Sequence, residues 1–219
     1  MIADLHIHTR CSRDSLMNPA MVVKIARRRG LDGIAITDHD TIRGGVLARE
    51  ANRDKDFQVL VGAEIKTEYG DVLGLFLDEE IVAQRFDDVV EEIHAQGGLT
   101  VLAHPYRQYL SPERLVGKVN LIEGFNSRSR RRTNAISMTL GRVSGKGTVG
   151  GSDAHVYAEI GRGVTVCAGE DLEESLWTGQ TTGRGRESNY YLVHGLSYII
   201  EKSKGLIGVG RCDNDESTS

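Results

Sequence analysis

Short apolar runs alternate with longer amphipathic stretches along almost the whole chain. Residues 2–7, 33–37, 59–65, 72–77, 99–103, 121–126 and 148–151 are compact hydrophobic runs of strand length, and Val164 to Cys167 reads as one more. The first helix is announced by Asn18-Pro19, a side-chain cap followed by a residue suited to the first turn. Val22, Ile25 and Ala26 keep helical spacing, and Gly30 supplies the stop. A helical stretch over 42–53 has a first turn weakened by Gly44-Gly45. Phe86, Val89, Val90 and Ile93 mark another helix, ended by Gly97-Gly98. Ser111-Pro112-Glu113 opens a short helix, residues 128–143 read as a basic helix, and 171–177 and 190–201 as amphipathic ones. Thr9 to Ser15 reads as a polar loop, and Tyr69-Gly70-Asp71 as a turn. Residues 205–219 are acidic and polar and are expected to be disordered.

Alternation of this kind predicts an α/β fold, a parallel sheet with helices outside, either open or closed into a barrel. Polar placement separates the two. His39, Glu64, His104, Asp153 and His155 all follow the C-terminal ends of predicted strands. A closed barrel brings those ends to one mouth, whereas an open sheet spreads them along an edge. A single-domain, TIM-like barrel is therefore the expected architecture.

Composition narrows the class without naming a reaction. A chain of 219 residues with 39% hydrophobic and 26% charged residues has the mix of an ordinary soluble domain. A net charge of −4 argues against broad coating of nucleic acid and leaves room only for a local basic groove. No apolar run reaches membrane-spanning length and no signal-peptide pattern precedes Asp4, so no membrane partner is expected. Cys11, Cys167 and Cys212 are odd in number and far apart. A disulfide framework is not expected, and a cytoplasmic location fits.

The densest chemistry is at the start, in Asp4-Leu5-His6-Ile7-His8-Thr9. Residues two apart on a strand share a face, so His6 and His8 present two imidazoles together, with Leu5 and Ile7 on the other side. With Asp14, His39, Glu64, His104, Asp153 and His155 they form a candidate set of five imidazoles and three carboxylates. Nitrogen and oxygen donors suit Zn²⁺, Mn²⁺ or Fe²⁺. The set exceeds what one ion needs. Two or three divalent ions about 3.5–4 Å apart form the clamp used in phosphoester hydrolysis, where one activates water and the others neutralise phosphate charge.

The segments Asp4–Thr9, Ser12-Arg13-Asp14, Ile36-Thr37-Asp38-His39, Gly62-Ala63-Glu64, Ala103-His104-Pro105 and Ser152-Asp153-Ala154-His155 occur in the order found in one family. The chain resembles the polymerase and histidinol phosphatase (PHP) superfamily. Residues 161–165 also look like the segment after that family's last histidine. The resemblance implies a distorted barrel of seven β/α units over residues 1–204 and a metal-dependent phosphoesterase activity. It also implies that His6, His8, Asp153 and a bridging Glu64 hold one metal, Glu64 and His104 a second, and Asp14, His39 and His155 a third. Some members add a histidine after the strand matching Leu121–Asn126, and here none lies between His104 and His155.

Asp38, as the partner of a histidine, and Arg162, beside the site by resemblance, are candidate catalytic residues. Asn126, Arg128, Arg130 and Arg162 are candidate phosphate contacts, because guanidinium forks match phosphate oxygens. His94 and His194 read as structural or surface residues. The favoured substrate is a small phosphomonoester, such as a nucleotide or a sugar phosphate. One alternative is a nuclease or phosphodiesterase acting on nucleic-acid ends, for which Arg128–Arg132 is the only stretch able to supply a basic track. The others are a non-catalytic PHP-like scaffold and an amidohydrolase, whose barrel also begins with His-x-His but uses a bridging lysine.

Overall fold

The structure is a computed structural model and describes residues 1–108, 111–207 and 212. In chain order the elements are β1 (Ile2–Ile7), α1 (Pro19–Arg28), β2 (Gly33–His39), α2 (Arg43–Ala51), β3 (Gln58–Lys66), β4 (Asp71–Leu75), α3 (Phe86–Ala95) and β5 (Leu99–Leu102). They continue with α4 (Pro105–Gln108), β6 (Leu121–Asn126), α5 (Arg131–Ser144), β7 (Thr148–Gly151), β8 (Gly163–Cys167), α6 (Leu172–Trp177), β9 (Thr181–Gly185) and α7 (Tyr190–Ile207). The Asn18 side chain accepts hydrogen bonds from the Ala20 and Met21 amides, as its capping position demands.

The strands form one sheet in the order β7-β6-β5-β4-β3-β2-β1-β8-β9. β1, β2 and β3 run parallel, as do β5, β6 and β7. β4 lies antiparallel between β3 and β5, and β8 and β9 are antiparallel additions beyond β1. The sheet is therefore a TIM-like barrel with a reversed strand rather than seven uniform β/α units. Its ends nearly meet. The Asp153 amide donates to the His6 carbonyl at 2.8 Å and the His8 amide to the Ala154 carbonyl at 2.9 Å. The Thr165 hydroxyl meets both the amide and the carbonyl of Gly150, each at 2.9 Å.

Glycine makes that seam possible. A Cβ on Gly163 would fall 2.0 Å from the Gly151 carbonyl oxygen, and one on Gly151 would fall 2.2 Å from the His6 Cβ. Side chains at these positions would hold the sheet edges apart and displace β1.

Several expectations are revised. Leu5 and Ile7 do not share a face: Leu5 packs with Ala35 and Leu60, whereas Ile7 packs with Ile34 and Ile36. The register between β1 and β2 shifts between Asp4 and Ile7, and such a bulge flips the alternation. Leu5 and the two histidines are thereby all turned inward. β9, sequence Thr-Thr-Gly-Arg-Gly, has no apolar alternation to read. α5 begins at Arg131 because Arg130 is still extended, with φ −75° and ψ 149°. The helix expected after Ser111 is two single 3₁₀ turns, Pro112–Arg114 and Val116–Lys118. Gly44 and Gly45 are buried, and their bare Cα atoms let α2 settle against Asp38 and Val61.

The cysteine expectation is also overturned: Cys11 and Cys212 form a disulfide across a separation of 201 residues. Spacing along the chain says nothing about a C-terminal helix that folds back. Lys204 Nζ donates to the carbonyls of Arg10 and Ser12, both at 2.7 Å, and of Ser15 at 3.2 Å, so the end of α7 lies on the loop after β1. Cys167 is free and buried. The region 205–219 expected to be disordered lies outside the described residues, apart from 205–207, which continue α7, and Cys212. Among the described residues no helix is long and apolar enough to cross a membrane.

Gly163→Ala is expected to lower stability by about 1–3 kcal/mol through overpacking at the seam. A urea titration reads this as a lower midpoint at unchanged slope. An unchanged midpoint would mean that the seam has slack the contacts do not show.

Candidate metal centre

Five histidines and four carboxylates converge at the barrel mouth. The donor atoms of His8, Asp14, His39 and His155 lie within 4.8 Å of one another, as do those of His6, His8 and Glu64, of His6, His104 and Asp153, and of Glu64, Asp71 and His104. All eight residues selected from sequence are in these groups. Asp71 is the ninth and was missed, because Tyr-Gly-Asp reads as a turn. It is the first residue of β4, and that strand runs backwards, so its N-terminal end reaches the mouth where the parallel strands end. Asp71 pairs with Lys66, two residues beyond Glu64, and so shares the face of Glu64. It shares a group with Glu64 and His104.

Backbone geometry aims several of these groups. His104 and Asp153 have positive φ, 27° and 54°, conformations that branched-off side chains adopt at a cost and that recur at functional sites. Asp4 is fully buried and holds the far side of the turn: its carboxylate accepts from the Ser152 amide at 2.9 Å and the Gly161 amide at 2.7 Å. Glu159 accepts from the His155 amide at 3.0 Å and is clamped by Arg128 through Nε at 3.0 Å and Nη2 at 2.6 Å. Glu123 lies 2.9 Å from His6 Nδ1, which leaves His6 Nε2 for the cluster.

The donor set fits divalent cations. His6 Nε2 and His8 Nε2 face each other at 3.1 Å, and each lies 3.2 Å from the same Glu64 oxygen. Two imidazole nitrogens and a carboxylate aimed at one point are what a cation satisfies and what protons serve poorly. Without a cation the charges lean on each other. Burial opposes the His8 imidazolium, but the Asp153 and Glu64 carboxylates outweigh it and lift His8 to about 9. His6 is likewise raised against its burial, by Glu123, Glu64 and Asp153. Burial would raise Asp14, Glu64 and Asp153, yet the surrounding imidazoles, and Arg107 for Asp153, hold all three below the usual carboxylate range. Burial and the neighbouring His8 push His155 down to about 4. Burial raises Asp4 to about 6, and it also raises Asp38 and Asp71.

The cluster lies in a pocket of about 390 Å³, whose wall includes Lys66, Arg107, Arg128, Tyr190, His194 and Ser197. Arg107 was not singled out from sequence. Its Nη2 donates to Asp153 at 2.7 Å, while its buried Nε and Nη1 have no partner. His194, read as structural, is a pocket wall on α7, whereas His94 lies 3.2 Å from Thr100 and 3.0 Å from Asn120, away from the site.

The remaining candidates are engaged by other partners or lie elsewhere, and of them only Arg128 lines the pocket. Asp38 accepts from the Thr9 amide at 2.5 Å and hydroxyl at 2.6 Å, so it fixes the loop after β1 and touches no histidine through a hydrogen bond. Asn126 Nδ2 donates to Glu123 at 3.1 Å and Asp153 at 3.2 Å, holding two carboxylates apart. Arg128 is occupied by Glu159 and by Ser197 Oγ at 2.7 Å. Arg130 lies with its guanidinium 4.6 Å from the Tyr190 ring centroid. Arg162 is exposed and lines a different cleft.

A family model, the PHP domain, matches residues 4–161, and the chain belongs to that family. The uncharacterized protein MJ1587 of Methanocaldococcus jannaschii is 40% identical over 117 residues, 48% of this chain and 68% of that protein. The 5'-3' exoribonuclease of Haemophilus influenzae is 35% identical over 66 residues, 30% of this chain and 24% of that protein. Among solved structures, a two-domain protein from Bacteroides vulgatus containing a predicted PHP-like metal-dependent phosphoesterase superposes with a TM-score of 0.73 at 22% identity. That match covers 85% of this chain and 65% of the other, and it bears on the fold alone.

Ligand imidazoles must be neutral, so metal uptake at pH 7 displaces protons from His6 and His8 and none from His155. Titration calorimetry in buffers of different ionisation enthalpy is expected to find about two protons released by this pair at pH 7, and affinity rising as pH climbs toward 9. Uptake with no proton release would remove His6 and His8 from the ligand set.

Proposed function

We propose that this PHP-family enzyme hydrolyses the phosphoester of a nucleotide-sized group, a free phosphomonoester such as a nucleotide or sugar phosphate being the simplest substrate. The observation that carries this reading is the nine-residue donor cluster, of which Asp14, His39, Glu64, Asp71, His104, Asp153 and His155 line a pocket of about 390 Å³ while His6 and His8 lie buried behind them. That space suits one phosphorylated group. Divalent ions, when bound, would supply Lewis-acid chemistry toward water and the phosphate. The His8, Asp14, His39 and His155 group, the Glu64-centred groups and Asp71 would hold them.

The chain's own residues do the rest. Arg107, tethered through Asp153, lines the pocket beside the cluster and brings positive charge to where a phosphate would sit. Arg128 and Glu159 keep the His155 backbone fixed, and Asn126 with Glu123 keeps His6 and Asp153 oriented. α7 closes one wall with Tyr190, His194 and Ser197, which reduces the water competing for the reacting group.

A second reading has the phosphoester at the end of a nucleic-acid strand. It is favoured by an arginine-lined cleft near the pocket, and the similarity to an exoribonuclease is in keeping with it.

Phosphate release with added Mn²⁺ tests both readings, using a panel of phosphomonoesters, phosphodiesters and short RNA with His8→Ala as the blank. Metal-dependent turnover that Arg107→Ala weakens about 10²–10³-fold in kcat/KM, at unchanged metal content, is the expected outcome. A metal-loaded protein inert toward the whole panel would overturn the phosphoesterase reading.

A further inference from the structure

A cleft of about 660 Å³ lies apart from the metal pocket, and its walls carry Arg29, Arg162, Arg184 and Arg186. The rest of its lining is small and apolar, with no carboxylate. All four arginines are exposed, and among the described residues none of them is in an ion pair. Only Arg29 is partly occupied, donating to the carbonyls of Ala158 and Ile160. They come from four places: the end of α1, the loop before β8, β9 and the segment after β9. The bland reading is that charges guard the edge strand β9 against pairing with another chain. It accounts for Arg184. It does not account for Arg29 and Arg162, which reach the same hollow from other elements. Four like charges gathered in one concavity of a chain with net charge −4 repel one another and gain from a polyanion.

The cleft is joined to the metal pocket by a short strap. The Arg186 amide donates to the Arg162 carbonyl at 2.8 Å, the Ser188 amide to the Ser127 carbonyl at 2.7 Å, and Tyr190 is already a pocket wall. Four residues span at most about 14 Å, so cleft and pocket are a few nucleotides apart. Beside the pocket, Arg130 stacks on Tyr190, an aromatic and cationic surface on which a base can lie. A ligand that uses cleft, stacking surface and pocket together needs repeated phosphates, bases and a free end narrow enough for the pocket.

We propose that the four-arginine cleft binds the phosphodiester backbone of a single-stranded nucleic acid whose end reaches the metal pocket. The inference rests on the strand-end reading of the function. Its test does not depend on turnover.

The measurement is fluorescence anisotropy of the full-length, Mn²⁺-loaded protein with a labelled RNA of about 12 nucleotides, its phosphorothioate backbone resisting hydrolysis. Wild type is compared with the Arg184→Ala, Arg186→Ala double variant across a salt series. The variant is expected to bind about tenfold more weakly, with a log–log salt slope shallower by about 1.4, two contacts at about 0.7 each. Its hydrolysis of p-nitrophenyl phosphate is expected to match wild type. Equal strand affinity in both proteins, absence of strand binding by wild type, or duplex binding as tight as single-strand binding would each overturn the proposal. If p-nitrophenyl phosphate and every other ester stay intact while strand binding follows the expected pattern, the cleft stands and the phosphoesterase reading falls.

Discussion

Five imidazoles and four carboxylates crowd into a largely buried barrel mouth, and the rest of the structure is arranged around that fact. Buried charge is tolerated only when it is paired or coordinates metal. Here Asp14, Glu64 and Asp153 lean on neighbouring imidazoles, which is why these three carboxylates are held low and His6 and His8 are held high despite burial, whereas burial and the nearby Glu64 raise Asp71. Such a balance is costly to rearrange, so every group is fixed from behind. Glu123 meets His6, Asn126 bridges Glu123 and Asp153, and the Arg128–Glu159 pair ties down the His155 backbone.

That demand reaches into the fold. A bulge in β1 turns both His6 and His8 inward after Leu5 has already taken an interior place. The seam is glycine-rich because His6 sits against Gly151, where a side chain would push it out of register. α7 then covers part of the mouth and is held at its far end by Lys204 on three carbonyls of the loop after β1 and by the Cys11–Cys212 bond. The loop that carries Asp14 is thus fixed from three sides, by β1, by Thr9 on Asp38 and by α7.

Much of this was legible beforehand. Alternating apolar runs located eight of the nine strands, and polar residues at strand ends named five of the nine candidate donors, because a barrel converts position at a strand terminus into proximity; the His-x-His pair and the family resemblance added His6, His8 and Asp14. The failures have physical causes. β9 is held by its ladder with β8 and by glycines that allow close approach, and neither leaves an apolar pattern. Arg107 looked unremarkable because its value comes from being buried with two unpartnered nitrogens beside Asp153. Arg162 looked promising from its neighbours in sequence, yet the chain at Gly161 turns, with φ +76°, and Arg162 lies in another cleft.

The sequence by itself determined the fold class, the family and most of the candidate donors that gather at the mouth, since hydrophobic period and residue chemistry are local properties. Tertiary structure alone decided which candidate donors lie together, that a reversed strand delivers Asp71, that Arg128 is spent on Glu159, and that four scattered arginines share one cleft. Those are facts of distance between segments remote along the chain, and only closure of the barrel and the return of α7 set them.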